Sequence, residues 1–204
     1  MRVEDRGELE RLIAARHAEG DFTAAAVAAI KGYGPEILGF LFVATGRQQD
    51  SSDIFSDYCE DLWRGLPAFR GDSTFRTWSY RLAYHALARA RRKDAKKRRR
   101  MVALSDVPEV AALVDRVRTR TRPHLRTEVK AAVARLRERL EEDDRTLLVL
   151  RVDRRLAWDE IARIIDPDAP NPASTKRLSA SLRKRFERVK ARLRELAEEL
   201  GIED

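Results

Sequence analysis

Residues 69–78, "FRGDSTFRTW", combine aromatic rings, arginines and small hydroxyl side chains within a short stretch. Single-stranded nucleic acid is bound by cationic grooves that also offer stacking surfaces and small pockets for unstacked bases. A glycine-containing, hydroxyl-rich loop beside cations is suited to hold such a base. The loop residues assigned to this site are Phe69, Arg70, Gly71, Asp72, Ser73 and Thr74.

The densest positive charge of the chain follows this loop. Residues 89–100 contain nine basic residues and one acidic residue, so their charge equals the +8 of the whole 204-residue chain. Either the block is a solvated helix end or linker, or a partner that supplies phosphates relieves the repulsion among its cations. Between loop and block, Phe75 and Trp78 fit an apolar core stripe. Residues largely off this stripe extend the predicted nucleic-acid surface: Arg76, Arg81, Tyr84, His85, Arg89 and Arg92.

A second basic surface opens the last long helical segment. The short apolar segment 157–165 precedes it, and together they predict a helix-turn-helix whose second helix enters a DNA major groove. Hydroxyls and lysines reach phosphates, while arginines pair with guanine edges. An ordinary helical hairpin with a polar face is the alternative. The predicted contact residues are Ser174, Thr175, Lys176, Arg177, Ser179 and Ser181.

A third surface has the opposite charge. Residues 50–63 contain five acidic residues and no basic one. On a helix, an acidic and apolar face in so basic a protein suits a protein partner rather than DNA. The alternative is a solvated face paired with the basic block; metal binding is not expected, because no second ligand cluster is evident. The face is formed by Asp50, Asp53, Asp57 and either Glu60 or Asp61, with Ile54, Tyr58 and Leu62 beside them.

The elements that position these residues are predicted to be helices. Apolar residues recur at helical spacing, and no segment shows the alternation of a strand. In the last helical segment they form a single stripe of Leu178, Leu182, Phe186, Val189, Leu193, Leu196 and Leu200. One or two helices are expected within 21–45, where Pro35 interrupts the pattern, and one at 50–64; Ser73 and Asn171 are predicted caps. The fold class is therefore all-α: two small helical domains joined by a flexible linker, the C-terminal one carrying the helix-turn-helix. The predicted organisation is an N-terminal extension at 1–20, a domain at 21–100, a linker at 101–127 and a domain at 128–204.

Several function classes are not favoured by the sequence. His17, His85 and His124 lie in separate segments without a catalytic partner at fixed spacing, and there is no P-loop, GxGxxG or CxxC, so neither an enzyme nor a cofactor is expected. The single cysteine, Cys59, excludes an internal disulfide and favours a reducing compartment. The start of the chain is charged, and its apolar runs are too short for a bilayer. A cytoplasmic protein without membrane insertion is expected.

The order of these features resembles one known family. The stretch "DSSDIFSDYCEDLWRGLPAFRGDSTFRTWSYRLAYHALARARRK" resembles region two of the extracytoplasmic-function sigma factors of bacterial RNA polymerase. The stretches "DDRTLLVLRVDRRLAWDEIARIID" and "STKRLSASLRKRFERVKARLREL" are similar to region four of the same family. The two resemblances cover most of the chain, about 20–100 and 128–200, and their order and separation are more specific than either motif alone.

The resemblance implies a partner for each surface. The acidic face would dock on the clamp of core RNA polymerase, and the loop at 69–74 with the following helix would open the −10 element and hold a flipped base. Residues 174–184 would read the −35 element as duplex DNA, so the resemblance adds Arg183 and Lys184 to the predicted contact residues of this segment. The linker would pass near the polymerase active site and the RNA exit path, and the polymerase flap is a further expected contact.

Two other functions are weighed against this one. A stand-alone helix-turn-helix regulator would keep the fold and bind duplex DNA specifically without polymerase. An enzyme is the third hypothesis, and it is disfavoured because no catalytic constellation is visible. An exposed apolar and acidic face would also suit an anti-sigma protein, and with no oligomeric interface visible the free protein is expected to be a monomer.

Overall fold

A computed structural model describes residues 3–93, 116–117, 135–166 and 171–199. Regular structure in these residues is helical throughout, which confirms the all-α prediction. The chain divides into two compact units, Met1–Leu41 with Gln49–Arg122 and Phe42–Gln48 with Pro123–Asp204. The predicted domain bounds stay predictions, and most of the predicted linker, like residues 94–100 of the basic block, lies outside the described residues.

The described part of the first unit is built from helices. They are α1 (Val3–Ala18), α2 (Phe22–Thr45), α3 (Gln48–Gly65), a 3₁₀ turn (Leu66–Ala68) and α4 (Phe75–Lys93). By the division above, the end of α2 and the first residue of α3 belong to the second unit. The sequence predicts only an N-terminal extension at 1–20, but Ile13 of α1 is buried. The side chain of Leu9 packs closely against Gly32 of α2, since a Cβ added to Gly32 would lie 2.2 Å from Leu9 Cδ2. α1 is therefore a packed part of this unit.

α2 continues without a break from Phe22 to Thr45, with Pro35 inside it. The two-helix alternative is wrong: proline removes one i→i−4 hydrogen bond, but Ile30 and Ile37 on either side are both buried. Joined in this way, the apolar runs make a helix long and apolar enough to cross a membrane by length and composition. Half of its most apolar window is buried inside the protein, and core helices also pass this test of length and composition.

α3 and α4 are joined in the core by Tyr58, whose hydroxyl lies 2.5 Å from Ser79 Oγ. Burial raises the pKa of Tyr58 well above its usual value. The cap of α4 is Thr74 and not the predicted Ser73: Thr77 N donates to Thr74 Oγ1 at 3.1 Å. Ser73 Oγ donates to the Thr74 carbonyl instead, at 3.2 Å. The helix therefore begins one residue later than the cap prediction implies.

The described part of the second unit is also helical. Its elements are a turn of helix at 135–138, α5 (Glu142–Leu148), a π-helical stretch (Val149–Asp153), α6 (Trp158–Ile165) and α7 (Pro172–Glu199). The apolar stripe predicted on α7 is confirmed, because Leu182, Val189 and Leu196 are buried. Val189 and Leu196 form one core cluster with Leu136, Leu140 and Leu148.

The two helices of the predicted helix-turn-helix begin with different caps. Ala157 precedes α6 and has no side-chain acceptor, but its backbone N–H donates to Glu160 Oε2 at 2.7 Å. Asn171 caps α7 as predicted, since its Oδ1 accepts from Ser174 N at 2.9 Å. α6 packs against the first half of α7, where Ser179 Oγ donates to Asp159 Oδ1 at 2.6 Å. This pairing fixes the start of α7 relative to α6.

Candidate nucleic-acid interface

Phe69 lies at the start of the predicted base-binding loop and is half-buried. Its ring centroid lies 5.3 Å from the centroid of Phe75 and 5.0 Å from that of Trp78. The rings of His17 and Phe69 form a T-shaped pair with centroids 5.9 Å apart. Phe75 and Trp78 are buried, as predicted for core residues. Phe69 is therefore one side of an aromatic cluster that supports the loop, with part of its surface open.

The rest of the loop is open to solvent. Arg70, Gly71, Asp72 and Thr74 are exposed, and Ser73 is half-buried. Gly71 has a φ of +75°, a left-handed conformation that glycine adopts without steric cost. Arg70 Nε lies 3.3 Å from Asp72 Oδ2, and because both side chains are largely exposed the pair adds little stability. These polar groups are available to a ligand.

Arg76 is a correction to the predicted surface. The structure leaves only 9 % of it exposed. Its Nε donates to Glu36 Oε1 at 3.1 Å, and Tyr80 Oη donates to the same oxygen at 2.9 Å. A buried carboxylate requires such partners, because leaving a charge unpaired in the interior is costly. Arg76 therefore holds α4 to α2 and is not presented to a ligand.

The other predicted residues of α4 remain accessible. Arg81, Tyr84, His85 and Arg89 are half-buried, and Arg92 is exposed. Arg81, His85 and Arg92 are four and seven residues apart, so they share one face of the helix. Arg89 forms an ion pair with Asp61 of α3. The structure therefore brings together a cationic and aromatic face that continues from the exposed loop.

The acidic face of α3 is narrower than the sequence predicts. Asp50 and Asp53 are exposed and Asp57 is half-buried, while Ile54 is buried and Tyr58 is 0 % exposed. Asp61 is half-buried and paired with Arg89 of α4. Ile54 and Tyr58 belong to the core because they lie on the side of the helix that faces its neighbours. In the described ranges, no group of three or more potential metal ligands is assembled.

The predicted duplex-binding residues lie along the first half of α7. Lys176, Arg177, Ser181, Arg183 and Lys184 are exposed, and Ser174 and Thr175 are half-buried. Ser179 is a second correction: it is 2 % exposed and donates to Asp159 of α6.

Helical spacing adds one residue to this surface that the sequence interpretation missed. Arg188 is exposed and lies four residues after Lys184, on the same face.

Two further residues near the loop were missed, and both lie on α1. Glu10 Oε2 accepts a hydrogen bond from Phe75 N at 2.8 Å, and Glu10 Oε1 accepts from Arg76 N at 2.9 Å. Tyr33 Oη also donates to Glu10, at 2.6 Å, and burial and this carboxylate raise the pKa of Tyr33. His17 Nε2 donates to the Leu66 carbonyl at 2.9 Å. No local pattern in the sequence signals these long-range contacts.

Comparisons with known proteins give matches to one family. The profile of the family described as Sigma-70 region 2 matches residues 29–97. The RNA polymerase sigma-H factor of Pseudomonas aeruginosa is 31% identical over 173 residues, which cover 78% of this chain and 83% of that protein. The RNA polymerase sigma factor YlaC of Bacillus subtilis is 28% identical over 134 residues, which cover 65% of this chain and 75% of that protein. The ECF RNA polymerase sigma-E factor of Escherichia coli K12 is 30% identical over 129 residues, which cover 57% of this chain and 63% of that protein.

These relatives are all named as sigma factors, so the stand-alone regulator is not favoured. The profile match contains α3, the exposed loop and α4, which carry two of the three predicted surfaces. The P. aeruginosa relative extends the similarity over most of both chains. The chain therefore belongs to the extracytoplasmic-function sigma factors, and it is a transcription-initiation subunit that directs bacterial RNA polymerase to promoters.

Proposed function

We propose that this sigma factor divides its work among three surfaces. The exposed carboxylates of α3 dock on core RNA polymerase, the loop at 70–74 and the outer face of α4 hold the opened −10 element, and the first half of α7 reads the −35 duplex. The observation that carries the proposal is the separation of charge: exposed carboxylates lie on α3, and the exposed loop and cations lie on and before α4.

Docking on the polymerase clamp is assigned to Asp50, Asp53 and Asp57. Their carboxylates are exposed or half-exposed along one face of α3. Such charges steer a partner of opposite charge and fix its register. Ile54 and Tyr58 contribute indirectly, since their burial holds this face in place.

Capture of a −10 base is assigned to Arg70, Gly71, Asp72, Ser73 and Thr74. The loop offers hydroxyls, a carboxylate and backbone groups beside the open part of Phe69. A flipped base is read by hydrogen bonds to its edge and by contact with aromatic or apolar side chains. The face with Arg81, His85 and Arg92 would then bind the adjoining backbone, to which cations contribute most of the affinity.

Recognition of the −35 element is assigned to the exposed residues at the start of α7, with Arg188 added and Ser179 removed. The N-terminal residues of a second helix in this motif reach base edges, and neighbouring cations contact phosphates. The same unit is proposed to contact the polymerase flap.

The remaining roles follow from the family. The free protein is proposed to be a monomer in the cytoplasm without catalytic activity, the linker 101–127 to pass near the active site and RNA exit path, and an anti-sigma protein to cover the acidic face.

Binding to sigma-free core polymerase tests the docking surface. We expect the wild-type protein to co-elute with core in size-exclusion chromatography at moderate salt, and Asp53→Arg to abolish co-elution because it inverts an exposed contact charge. Glu8→Arg is the matched control, since Glu8 is also an exposed carboxylate but lies on α1 and not on α3. Co-elution retained by both Asp53→Arg and Asp57→Arg would reject the docking face.

A further inference from the structure

α1 lies outside the part of the chain that matches the family profile, residues 29–97. Its side chains nevertheless reach both ends of the loop proposed to hold the −10 base. His17 binds the carbonyl of Leu66, at the start of the turn that leads into the loop. Glu10 binds the backbone N–H groups of Phe75 and Arg76, where the loop becomes α4. One helix therefore contacts the segment before the loop and the segment after it.

The Glu10 carboxylate acts as a cap supplied by another helix. The first N–H groups of a helix have no partner within the helix, and a negative charge is favourable at this end. Thr74 Oγ1 satisfies one of them, the N–H of Thr77. Glu10 satisfies those of Phe75 and Arg76 and is itself oriented by Tyr33 Oη at 2.6 Å. The position of the first turn of α4 therefore depends on α1.

His17 holds the other end by two contacts. Its Nε2 lies 2.9 Å from the Leu66 carbonyl oxygen, and its ring packs edge-on against Phe69 with centroids 5.9 Å apart. Glu10, the buried Ile13 and His17 are three and four residues apart, so they lie on one face of α1. That face spans about two helical turns, or roughly 10 Å at ~1.5 Å per residue.

We propose that Glu10 and His17 are positioning residues for promoter opening, with α1 setting the separation and orientation of the loop ends. The inference rests on the proposal that this loop holds a −10 base. Ordering a loop costs about 1–2 kcal/mol per residue, and a loop held in its binding geometry before the base arrives pays less of that cost during capture. α1 then affects capture of the single strand without touching DNA or polymerase.

The test uses full-length protein assembled with core polymerase. The probe is a fluorescent single-stranded −10 oligonucleotide, taken from a promoter recovered by transcription of genomic DNA with wild-type holoenzyme. We expect Glu10→Gln to weaken its binding about fivefold, comparable to loss of a helix cap, with core affinity unchanged. Glu8→Gln, an exposed carboxylate on the same helix, is the control. Unchanged oligonucleotide binding by Glu10→Gln, or an equal loss of core affinity, would overturn the inference.

His17 supplies an independent variant pair. His17→Leu introduces an apolar side chain and removes the donor to Leu66, and we expect the same selective loss of oligonucleotide binding. His17→Gln retains an N–H donor and should restore oligonucleotide binding. If His17 were needed only for stability, its loss would lower the affinity for the oligonucleotide and the affinity for core polymerase alike. Equal oligonucleotide binding by the Leu and Gln variants would contradict the role of His17.

The double variant Arg70→Ala/Asp72→Ala separates this inference from the proposal beneath it. If that variant binds the oligonucleotide as well as wild type does, the proposed loop function fails. If it binds weakly while the α1 variants bind normally, the loop function stands and only the positioning role fails.

Discussion

Arg76 shows how one residue type serves different purposes within a single helix. Its side chain and that of Glu36 are 11% and 14% exposed, whereas Arg81, five residues later, is half-buried with its cation accessible. Both are arginines in a basic helix, and the sequence pattern places both at the surface. The difference is made by Glu36 of α2, because this largely buried carboxylate is stabilised by a cation and contacts Arg76.

We therefore expect Arg76→Ala to lower the free energy of unfolding by about 3 kcal/mol, because it removes the cation paired with the largely buried Glu36. Arg81→Ala, on the same helix, should change it by less than about 0.5 kcal/mol. Urea titration followed by circular dichroism measures both values. Equal stability of the two variants would show that the Arg76–Glu36 pair does not hold α4 to α2.

Arg155 is a second residue whose conformation is informative. Its φ is 53°, in the left-handed region that side chains with a Cβ enter at a cost. Its neighbour Arg154 has a φ of −98°. Arg155→Gly is expected to stabilise the protein by about 0.5–1 kcal/mol. Glycine relieves the strain of the left-handed conformation, and its greater entropy in the unfolded chain offsets part of this gain. Arg154→Gly should be destabilising. A loss of stability for Arg155→Gly in thermal unfolding would contradict this account.

At the scale of elements, the ends of the helices are held by contacts of two kinds. α7 is capped by its own flanking Asn171, whereas α4 is capped partly by Glu10 of a distant helix. The local cap is visible in the sequence because polar residues before a helix have a known preference. The distant cap has no such signature. The sequence also does not show that Thr74, and not the adjacent Ser73, caps α4.

Asn171→Ala is expected to cost about 1 kcal/mol of stability, since Ser174 N loses its acceptor. Asn171→Ser, which keeps an acceptor oxygen, should recover most of this loss. The free energy of unfolding from urea titration provides the comparison. If Ala and Ser at this position gave the same value, the cap would have no measurable energetic role.

At the scale of the whole molecule, the net charge of +8 is concentrated in one block of twelve residues, 89–100, and the rest of the chain is balanced. The exposed carboxylates of α3 and the exposed cations of α7 are therefore local surfaces on a nearly neutral background. Binding to duplex DNA should depend on salt according to the number of phosphates that these local cations contact.

Lys184→Ala is expected to reduce the slope of log affinity against log salt by about 1 for binding of holoenzyme to duplex promoter DNA, because one phosphate contact is lost. Lys190→Ala is the matched control on the same helix, since Lys190 is half-buried and pairs with Glu187 at 2.9 Å. Fluorescence anisotropy over a salt series measures the slopes. An unchanged slope for Lys184→Ala would remove Lys184 from the proposed interface.

The sequence by itself determined the helical class, the apolar stripe of α7, the Asn171 cap and the family. These follow from local spacing and composition, which act along a single helix or a short motif. It also placed the exposed loop and the acidic and basic faces, although with buried residues among them.

Only the tertiary structure decided that α2 is one helix, that Arg76, Tyr58 and Ser179 are turned inward, and that Glu10 and His17 of α1 hold the loop. Each of these depends on a partner far away in the chain: Glu36 for Arg76, Ser79 for Tyr58, Asp159 for Ser179. Helical periodicity specifies which residues share a face. The packing of one helix against another decides which side chain on that face meets a buried partner.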